Sequence, residues 1–286
     1  DLRMSRGLGD VYKRQVFMII YLVWFSNSLV RLKRFFLSAT VMLLFAKLLR
    51  LFSLCFDDKS KGFDKFQEIF VFSGIGWILL AACAVITGIL YLIDYKKPNI
   101  TISKAVPIAL AVVFGLCAVA MIGIMVYFSC IDTKTDLGSF ERIIRFNDRW
   151  GTHRGFMWIR SIWIFGDASF IEKLFGVGPD MFYSAFRPYF NDLLKYGDSS
   201  TNAAHNEYLN YLITIGITGL LSYLAIVCGT IKNAVKYAKE NPMLIACVSA
   251  VICYAVQAIV NLYQPITTPL FFIFIALCEA FVRNAK

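Results

Sequence analysis

A single histidine stands at the edge of a long apolar run, in the stretch "NAAHNEYLNYLITIGITGL" (202–220). The chain has only two histidines, and His205 is followed directly by Asn206 and Glu207. A neutral imidazole with a pKa near ambient pH is a suitable general base for a hydroxyl group. The alternative is a histidine at a membrane interface that is hydrogen-bonded to a neighbouring helix. His205 is therefore a candidate general base.

Arginines are concentrated upstream of this histidine, in a stretch that contains no lysine. They are Arg142, Arg145, Arg149, Arg154 and Arg160, and Asp148 is the only acidic residue among them. A guanidinium group is planar, permanently charged and able to bind phosphate oxygens through two parallel hydrogen bonds. The cluster suits a phosphate or diphosphate. A basic helix resting on anionic lipid headgroups would carry the same pattern.

The position of His205 depends on the helix that follows it. Ser199, Ser200, Thr201 or Asn202 is predicted to cap a helix that continues into a membrane span from Tyr208, which places His205 in its first turns. Gly216 is eleven residues further on, about three turns, and so on the same face. A glycine there permits close approach by another helix or a ligand. The sequence predicts a cleft that opens toward His205.

The composition indicates that a membrane surrounds these residues. Hydrophobic residues make up 58% of the 286 residues and charged residues only 17%, a balance that is not typical of soluble domains. The net charge of +10 comes from basic residues in short loops, so nucleic acid is not an expected partner. The eight cysteines show no metal-ligand spacing, and no D-x-D, P-loop or H-E-x-x-H motif is present. Neither a metal nor a cofactor is predicted.

Seven apolar runs are long enough to predict membrane spans. They are residues 16–30, 35–56, 69–93, 106–129, 208–231, 243–262 and 267–282. The predicted organisation is a bundle of spans 1 to 4 over 16–129, a hydrophilic loop over 130–207 and spans 5 to 7 over 208–286. Residues 1–15 lack the apolar middle of a signal peptide. We expect them to be a non-native leader, with native sequence beginning near Val16 and more chain missing before it.

Orientation follows from the short loops. Four segments carry a basic excess and fall on one side if the spans alternate: "RLKR" (31–34), "YKKPNITISK" (95–104), "IKNAVKYAKENP" (231–242) and the terminal "RNAK". By the positive-inside rule that side is cytoplasmic. The mixed-charge loop 57–68 and the long loop 130–207 are then extracytoplasmic.

Within the long loop, two helical stretches and a turn are predicted. "SFERIIRFNDRW" places Arg142, Arg145 and Arg149 at spacings of three and four, hence on one helix face. The aromatic stretch "GFMWIRSIWIF" (155–165) suits a helix that lies at the membrane interface. "LFGVGPDMF" (174–182) reads as a glycine and proline turn followed by an aromatic residue.

Two sets of residues resemble one known family. His205-Asn206, Tyr208-Leu209, Gly216-Ile217-x-Gly219-Leu220 and Tyr223 resemble the signature of the O-antigen ligase and polymerase superfamily. Upstream, Arg154-x-x-x-Trp158 and the GVGP turn resemble a second block of the same family. The resemblance covers about residues 140–225, and the order and separation of the two blocks agree with it.

The resemblance implies an all-α, GT-C-like transmembrane bundle of about seven spans with one large extracytoplasmic helical loop. It implies a metal-independent glycosyltransferase in the bacterial cytoplasmic membrane that takes a glycan from an undecaprenyl-diphosphate carrier. The acceptor would be lipid A core for a ligase, a second lipid-linked glycan for a polymerase, or protein for the related oligosaccharyltransferases. Membrane lipids would surround it.

The family's roles transfer by position to two residues: Arg154 on the diphosphate and His205 at the acceptor. Arg187, between the blocks, is a candidate for a second phosphate contact. Charge and proximity add Arg145, Arg149 and Arg160 as diphosphate-binding candidates, and Gly216 and Gly219 are expected at a helix-packing cleft.

Two other classes of protein remain open. A transporter or flippase of a lipid-linked sugar would use its arginines to bind a diphosphate head, but it should place charges at mid-membrane and show repeated halves. Here the charged residues concentrate in one loop, which favours the enzyme. A non-catalytic membrane anchor would make the histidine and glycine spacing a coincidence.

Overall fold

The structure, a computed structural model, describes residues 16–53, 74–97, 100, 102–197, 199–238 and 241–285. The predicted leader 1–15 and the mixed-charge loop 57–68 lie outside these described residues. All regular secondary structure in the described part of the chain is helical. The longer helices are α1 (Val16–Phe25), α2 (Leu29–Ser53), α3 (Gly74–Lys96) and α4 (Ala105–Val126). After them come α5 (Glu141–Ile144), α6 (Trp150–Asp167), α7 (Phe170–Phe175), α8 (Phe182–Phe186), α9 (Phe190–Leu193), α10 (Glu207–Thr214), α11 (Gly216–Tyr237), α12 (Met243–Ala258) and α13 (Thr267–Asn284).

Four helices among the described residues are long and apolar enough to cross a membrane. They are Gly74–Lys96, Ala105–Ile131, Gly216–Tyr237 and Thr267–Asn284. Helix α4 has 22 residues, and a π-helical turn, Tyr127–Ile131, extends this span to 27 residues. Three of the seven predicted spans, 69–93, 106–129 and 267–282, thus correspond to helices of spanning length, and the fourth helix, Gly216–Tyr237, covers only part of the predicted span 208–231. Helices α1 and α12 are apolar but have only 10 and 16 residues.

Helices α2 and α3 pack together in the first of two compact units, to which the described residues between 18 and 116 belong. Thr40 of α2 and Thr87 of α3 are hydrogen-bonded at 3.3 Å, and Lys33 forms an ion pair with Asp94. The prediction that residues 31–34 form a loop is therefore wrong, because helix α2 begins at Leu29 and contains them. The basic residues fit a helix there since Asp94 neutralises Lys33 and the Phe25 ring covers Arg31 at 4.3 Å.

The second unit covers residues 117–286 and contains two kinds of core. Helices α11, α12 and α13 pack through a ring-rich cluster that includes Tyr223, Tyr254 and Phe271, and through a second cluster that includes Leu244 and Val282. The connecting region between α4 and α10 has its own core, formed by Phe156, Met157, Phe182, Phe186, Leu193, Ala204 and Ile213. We call this last group the loop core.

Helix α6 supplies the centre of the loop core. Phe156 is 1% exposed and Met157 is 5% exposed, whereas Ile162 on the other side of the helix is half exposed. The structure buries one face of the aromatic stretch 155–165 in protein, and the placement of its exposed face at a membrane interface stays a prediction. The three- and four-residue spacing of its large side chains favours such a two-faced helix.

The arginines of "SFERIIRFNDRW" do not share a helix face, so that prediction is wrong. Helix α5 ends at Ile144, Arg145 is extended with φ −88° and ψ 115°, and α6 begins only at Trp150. The break is stabilised by the Arg145 side chain, which donates to the carbonyl oxygens of Phe128 at 3.1 Å and Thr135 at 2.7 Å. Tertiary hydrogen bonds here outweigh helical propensity.

The predicted continuous span 208–231 is also interrupted. Helix α10 ends at Thr214, and α11 begins at Gly216, whose φ of +69° belongs to the left-handed region. The GVGP turn causes the interruption, because Val177 N donates to Ile213 O at 2.9 Å and Gly178 N donates to Thr214 O at 3.0 Å. His205 and Gly216 therefore do not share one helix face, and that prediction is wrong.

Replacing Gly216 with alanine is expected to destabilise the protein by about 2–5 kcal/mol, since it adds left-handed strain and a steric clash. A Cβ atom at this position would lie 2.3 Å from the Leu174 carbonyl oxygen. Thermal unfolding in detergent measures the change. Gly229→Ala is the matched control in the same helix, because a Cβ there meets nothing within 4 Å. Equal melting temperatures for the two variants would contradict the close packing at Gly216.

Candidate functional site

His205 lies just before helix α10 rather than in its first turns. The N-cap is Asn206, whose Oδ1 accepts a hydrogen bond from Leu209 N at 3.0 Å, and the helix starts at Glu207. The predicted caps at 199–202 are therefore wrong. His205 itself is half-buried and has a left-handed backbone with φ 51°. For a residue other than glycine this conformation is uncommon and needs support from the surrounding structure.

The support on one side of His205 comes from the loop core. Ala204 is fully buried and belongs to the same cluster as Phe156 and Met157 of α6. Thr201 Oγ1 also lies 3.8 Å from the Met157 sulfur. These contacts bring the segment that carries His205 to the helix that carries Arg154.

Arg154 lies in the irregular first turn of α6. It is only 3% exposed, and its Nη1 donates to the Gly151 carbonyl oxygen at 3.5 Å. The turn is tight, since Gly151 has a φ of +57° and a Cβ at Gly155 would lie 1.9 Å from the Asn147 carbonyl oxygen. The backbone around Arg154 therefore has little freedom, and its guanidinium is directed by packing.

Arg145 and Arg160 use their guanidinium groups within the protein. Arg145 donates to carbonyl oxygens of the turn after α4 and contacts Glu141 at 3.3 Å. Arg160 forms a two-pronged ion pair with Asp148 at 2.6 and 3.0 Å and lies between the rings of Phe156 and Trp163. Both arginines hold the loop region together.

Arg149 and Arg187 differ from that pair. Both side chains are exposed, and among the described residues neither guanidinium forms an ion pair or a hydrogen bond. Arg149 immediately precedes α6, and Arg187 follows α8 of the same loop region. The number of arginines that are available for an outside anion is thus smaller than the sequence cluster indicates.

The two glycines expected at a cleft instead contact the chain itself. A Cβ at Gly216 would meet the backbone of Leu174 and Gly176, and a Cβ at Gly219 would lie 2.6 Å from the Ile215 side chain. Thr218 Oγ1 adds a hydrogen bond to Leu174 O at 2.7 Å. The close approach predicted for Gly216 is real, but its neighbour is the GVGP segment.

The sequence did not indicate that Glu207 is buried. Its side chain is 1% exposed, and its carboxylate accepts hydrogen bonds from Tyr223 at 3.3 Å and Tyr254 at 3.0 Å. Burial raises the pKa of this carboxyl above its ordinary value, and the tyrosine hydrogen bonds oppose that rise. Glu207 lies outside the four candidate spans. The available signal was an acidic residue at a helix start with Tyr208 and Tyr211 beside it.

The loop after α12 meets this region as well. Tyr263 OH donates to Asp180 Oδ1 of the GVGP turn at 3.1 Å, and Tyr208 OH donates to the Ala255 carbonyl oxygen at 2.7 Å. The segment of His205, the GVGP turn and the end of α12 therefore lie at the same end of this unit. Among the described residues, no group of three His, Cys, Asp or Glu side chains is arranged to hold a metal ion.

The helices and this site define a multi-pass helical membrane protein with a folded connecting region. A family model described as O-antigen ligase matches residues 69–224, which is more than half of the chain. The protein belongs to this family, and the sequence resemblance is confirmed. The matched range contains both Arg154 and His205. No curated protein and no solved structure matches the chain.

Proposed function

We propose that this protein transfers a glycan from an undecaprenyl-diphosphate carrier to an acceptor hydroxyl at the outer face of the bacterial cytoplasmic membrane. Its family is enzymatic and of the O-antigen ligase and polymerase type. The observation that carries the proposal is the shared loop core, in which Ala204, next to His205, packs with Phe156 and Met157 of the helix that holds Arg154.

In the proposed reaction, the bond between the anomeric carbon and the diphosphate oxygen breaks as the acceptor oxygen attacks that carbon. His205 takes the proton of the acceptor hydroxyl. The lipid diphosphate leaves with an additional negative charge, which guanidinium groups stabilise because their donors are already in place. Arg154 fits this role since its backbone is tightly held.

Arg149 and Arg187 are proposed as the further diphosphate contacts, because their guanidinium groups are exposed and uncommitted among the described residues. Arg145 and Arg160 are better explained as structural residues, since carbonyl oxygens and Asp148 occupy their donors. The family pattern and the hydrogen bonds thus divide the arginines into two groups.

The proposed topology keeps seven spans, a GT-C-like arrangement and an extracytoplasmic loop over 130–207. The hydrogen bonds from Tyr254 to Glu207 and from Tyr263 to Asp180 support one part of it, namely that the end of α12 and the region of His205 lie on the same side of the membrane. A loop on the opposite side of the membrane could not make these contacts. The basic loops 95–104 and 231–242 would then be cytoplasmic.

The test is transfer by the purified protein in proteoliposomes, with an undecaprenyl-diphosphate glycan and separate acceptor arms. Lipid A core as the productive acceptor would identify a ligase, and a second lipid-linked glycan would identify a polymerase. Arg149→Gln is expected to weaken donor binding by about 10-fold, since it removes charge-assisted hydrogen bonds. Arg145→Gln is the control and should lower thermal stability while donor affinity stays unchanged.

Two outcomes would contradict the proposal. One is the absence of transfer to any of the acceptors from a protein that remains folded. The other is unchanged donor binding by Arg149→Gln together with weakened binding by a stable Arg145→Gln protein, which would reverse the division of the arginines.

A further inference from the structure

A buried carboxylate connects the segment of His205 to three helices. Glu207 accepts from Tyr223 of α11 and from Tyr254 of α12. The Tyr254 hydroxyl also shares a hydrogen bond of 2.7 Å with Thr268, in the first turn of α13. One side chain at the start of α10 thus contacts, directly or through one hydroxyl, the three helices that follow it.

The burial of Glu207 costs free energy, so its hydrogen bonds need an explanation other than stability alone. Burial of a carboxylate is unfavourable unless several donors compensate for the lost water, and packed apolar residues often give equal or greater stability. Removal of one partner leaves the rest of the network unsatisfied. The hydrogen bonds fix where the start of α10 lies more narrowly than apolar packing would, because each requires a particular distance and direction.

His205 lies between two buried residues, Ala204 and Glu207. On its N-terminal side Ala204 is fully buried in the loop core, and on its C-terminal side Glu207 is buried among tyrosines. Asn206 closes the first turn through Leu209 N. The left-handed backbone of His205 is the link between these fixed points, while its own side chain is only half-buried.

We propose that Glu207 is a positioning residue: the hydrogen bonds that its carboxylate accepts from Tyr223 and Tyr254 fix the backbone that presents the His205 imidazole to the acceptor. This inference rests on the proposed function of His205 as the base. Glu207 contacts no substrate in this account and exchanges no proton during transfer. It acts through the geometry of the preceding residues.

Loss of the network should lower kcat and leave the donor KM unchanged, because small displacements of a reacting group slow chemistry without affecting a distant binding contact. Tyr254→Phe is expected to lower kcat about 10-fold and Glu207→Ala about 100-fold. Glu207→Gln retains one acceptor oxygen and should fall between wild type and Glu207→Ala.

Tyr208→Phe is the matched control. The Tyr208 hydroxyl also connects α10 to α12, through the Ala255 carbonyl oxygen, but it donates no hydrogen bond to Glu207. Tyr208→Phe and Tyr254→Phe each remove one hydroxyl between the same two helices. Tyr254→Phe also removes the hydrogen bond to Thr268, so we expect it to lose more thermal stability than Tyr208→Phe. Only Tyr208→Phe should keep a kcat within about twofold of wild type, because that change leaves the carboxylate network intact.

A second readout separates this proposal from the proposed function. Hydrogen–deuterium exchange of residues 203–210, measured without donor, should become faster in Tyr254→Phe than in Tyr208→Phe. Faster exchange together with lower kcat supports the positioning role. Equal exchange in the two variants overturns it, whatever the transfer assay shows. The transfer assay separates the two proposals. If His205 variants lose transfer but Glu207→Ala retains full kcat, the positioning role is overturned and the proposed function stands. If His205 variants retain full transfer, the proposed function fails instead.

Discussion

Replacement of His205 with asparagine is expected to lower kcat for glycan transfer by about 10²- to 10⁴-fold, the usual contribution of a general base. Asparagine suits this position because it tolerates the left-handed backbone, with φ 51°, better than alanine does. It also has no group that accepts a proton at neutral pH. Donor binding should stay within about twofold of wild type, since the side chain acts on the acceptor.

His153→Asn is the control for this experiment. His153 is the other histidine of the chain, it also has a left-handed backbone with φ 69°, and its ring lies against Tyr196 at 4.5 Å. The same substitution therefore imposes a similar backbone change without touching the proposed base. Equal turnover by wild-type protein and the His205 variant would remove His205 from the mechanism.

Substitution of lysine for Arg154 is the second large effect. The variant keeps its positive charge, yet kcat should fall by about 10²- to 10³-fold because an ammonium group cannot reproduce the planar, two-pronged hydrogen bonding of guanidinium to a leaving diphosphate. Burial sharpens this expectation. Arg154 is 3% exposed, so a lysine there has little room to find another geometry. Steady-state transfer with donor titration measures the effect.

Arg160→Lys provides the comparison, because Arg160 is equally a member of α6 and is paired with Asp148. We expect it to reduce thermal stability while the donor KM is retained. A fully active Arg154→Lys protein would show that the two-pronged bonding of a guanidinium is not needed here, and it would contradict the role assigned to Arg154.

The length and hydropathy of the apolar runs predicted the long apolar helices correctly. Helices α3 and α13 cover most of their predicted ranges, and both are long and apolar enough to cross a membrane. The sequence failed where a tertiary contact decides local structure. Residues 31–34 are helical because Asp94 of another helix neutralises Lys33, and the chain breaks at Gly216 because the GVGP turn donates two hydrogen bonds there. Neither partner is adjacent in sequence.

In the candidate site, too, the sequence predicted some residues correctly and missed the roles that depend on tertiary contacts. Residue types and the family pattern selected Arg154 and His205, and the structure places their segments around one core. Charge alone could not show that Arg145 and Arg160 are bound to carbonyl oxygens and to Asp148. Nor could it show that Glu207 is buried, because its tyrosine partners come from α11 and α12. Residue spacing along the sequence does not predict hydrogen-bond partners that come from other helices.

The most direct measurement is an experimental structure of the protein with an undecaprenyl-diphosphate glycan bound. We expect the diphosphate oxygens to lie within hydrogen-bonding distance of the Arg154 guanidinium. The His205 imidazole should face the anomeric carbon across a space that admits an acceptor hydroxyl. A diphosphate bound away from Arg154, or an imidazole at residue 205 that faces lipid, would contradict it.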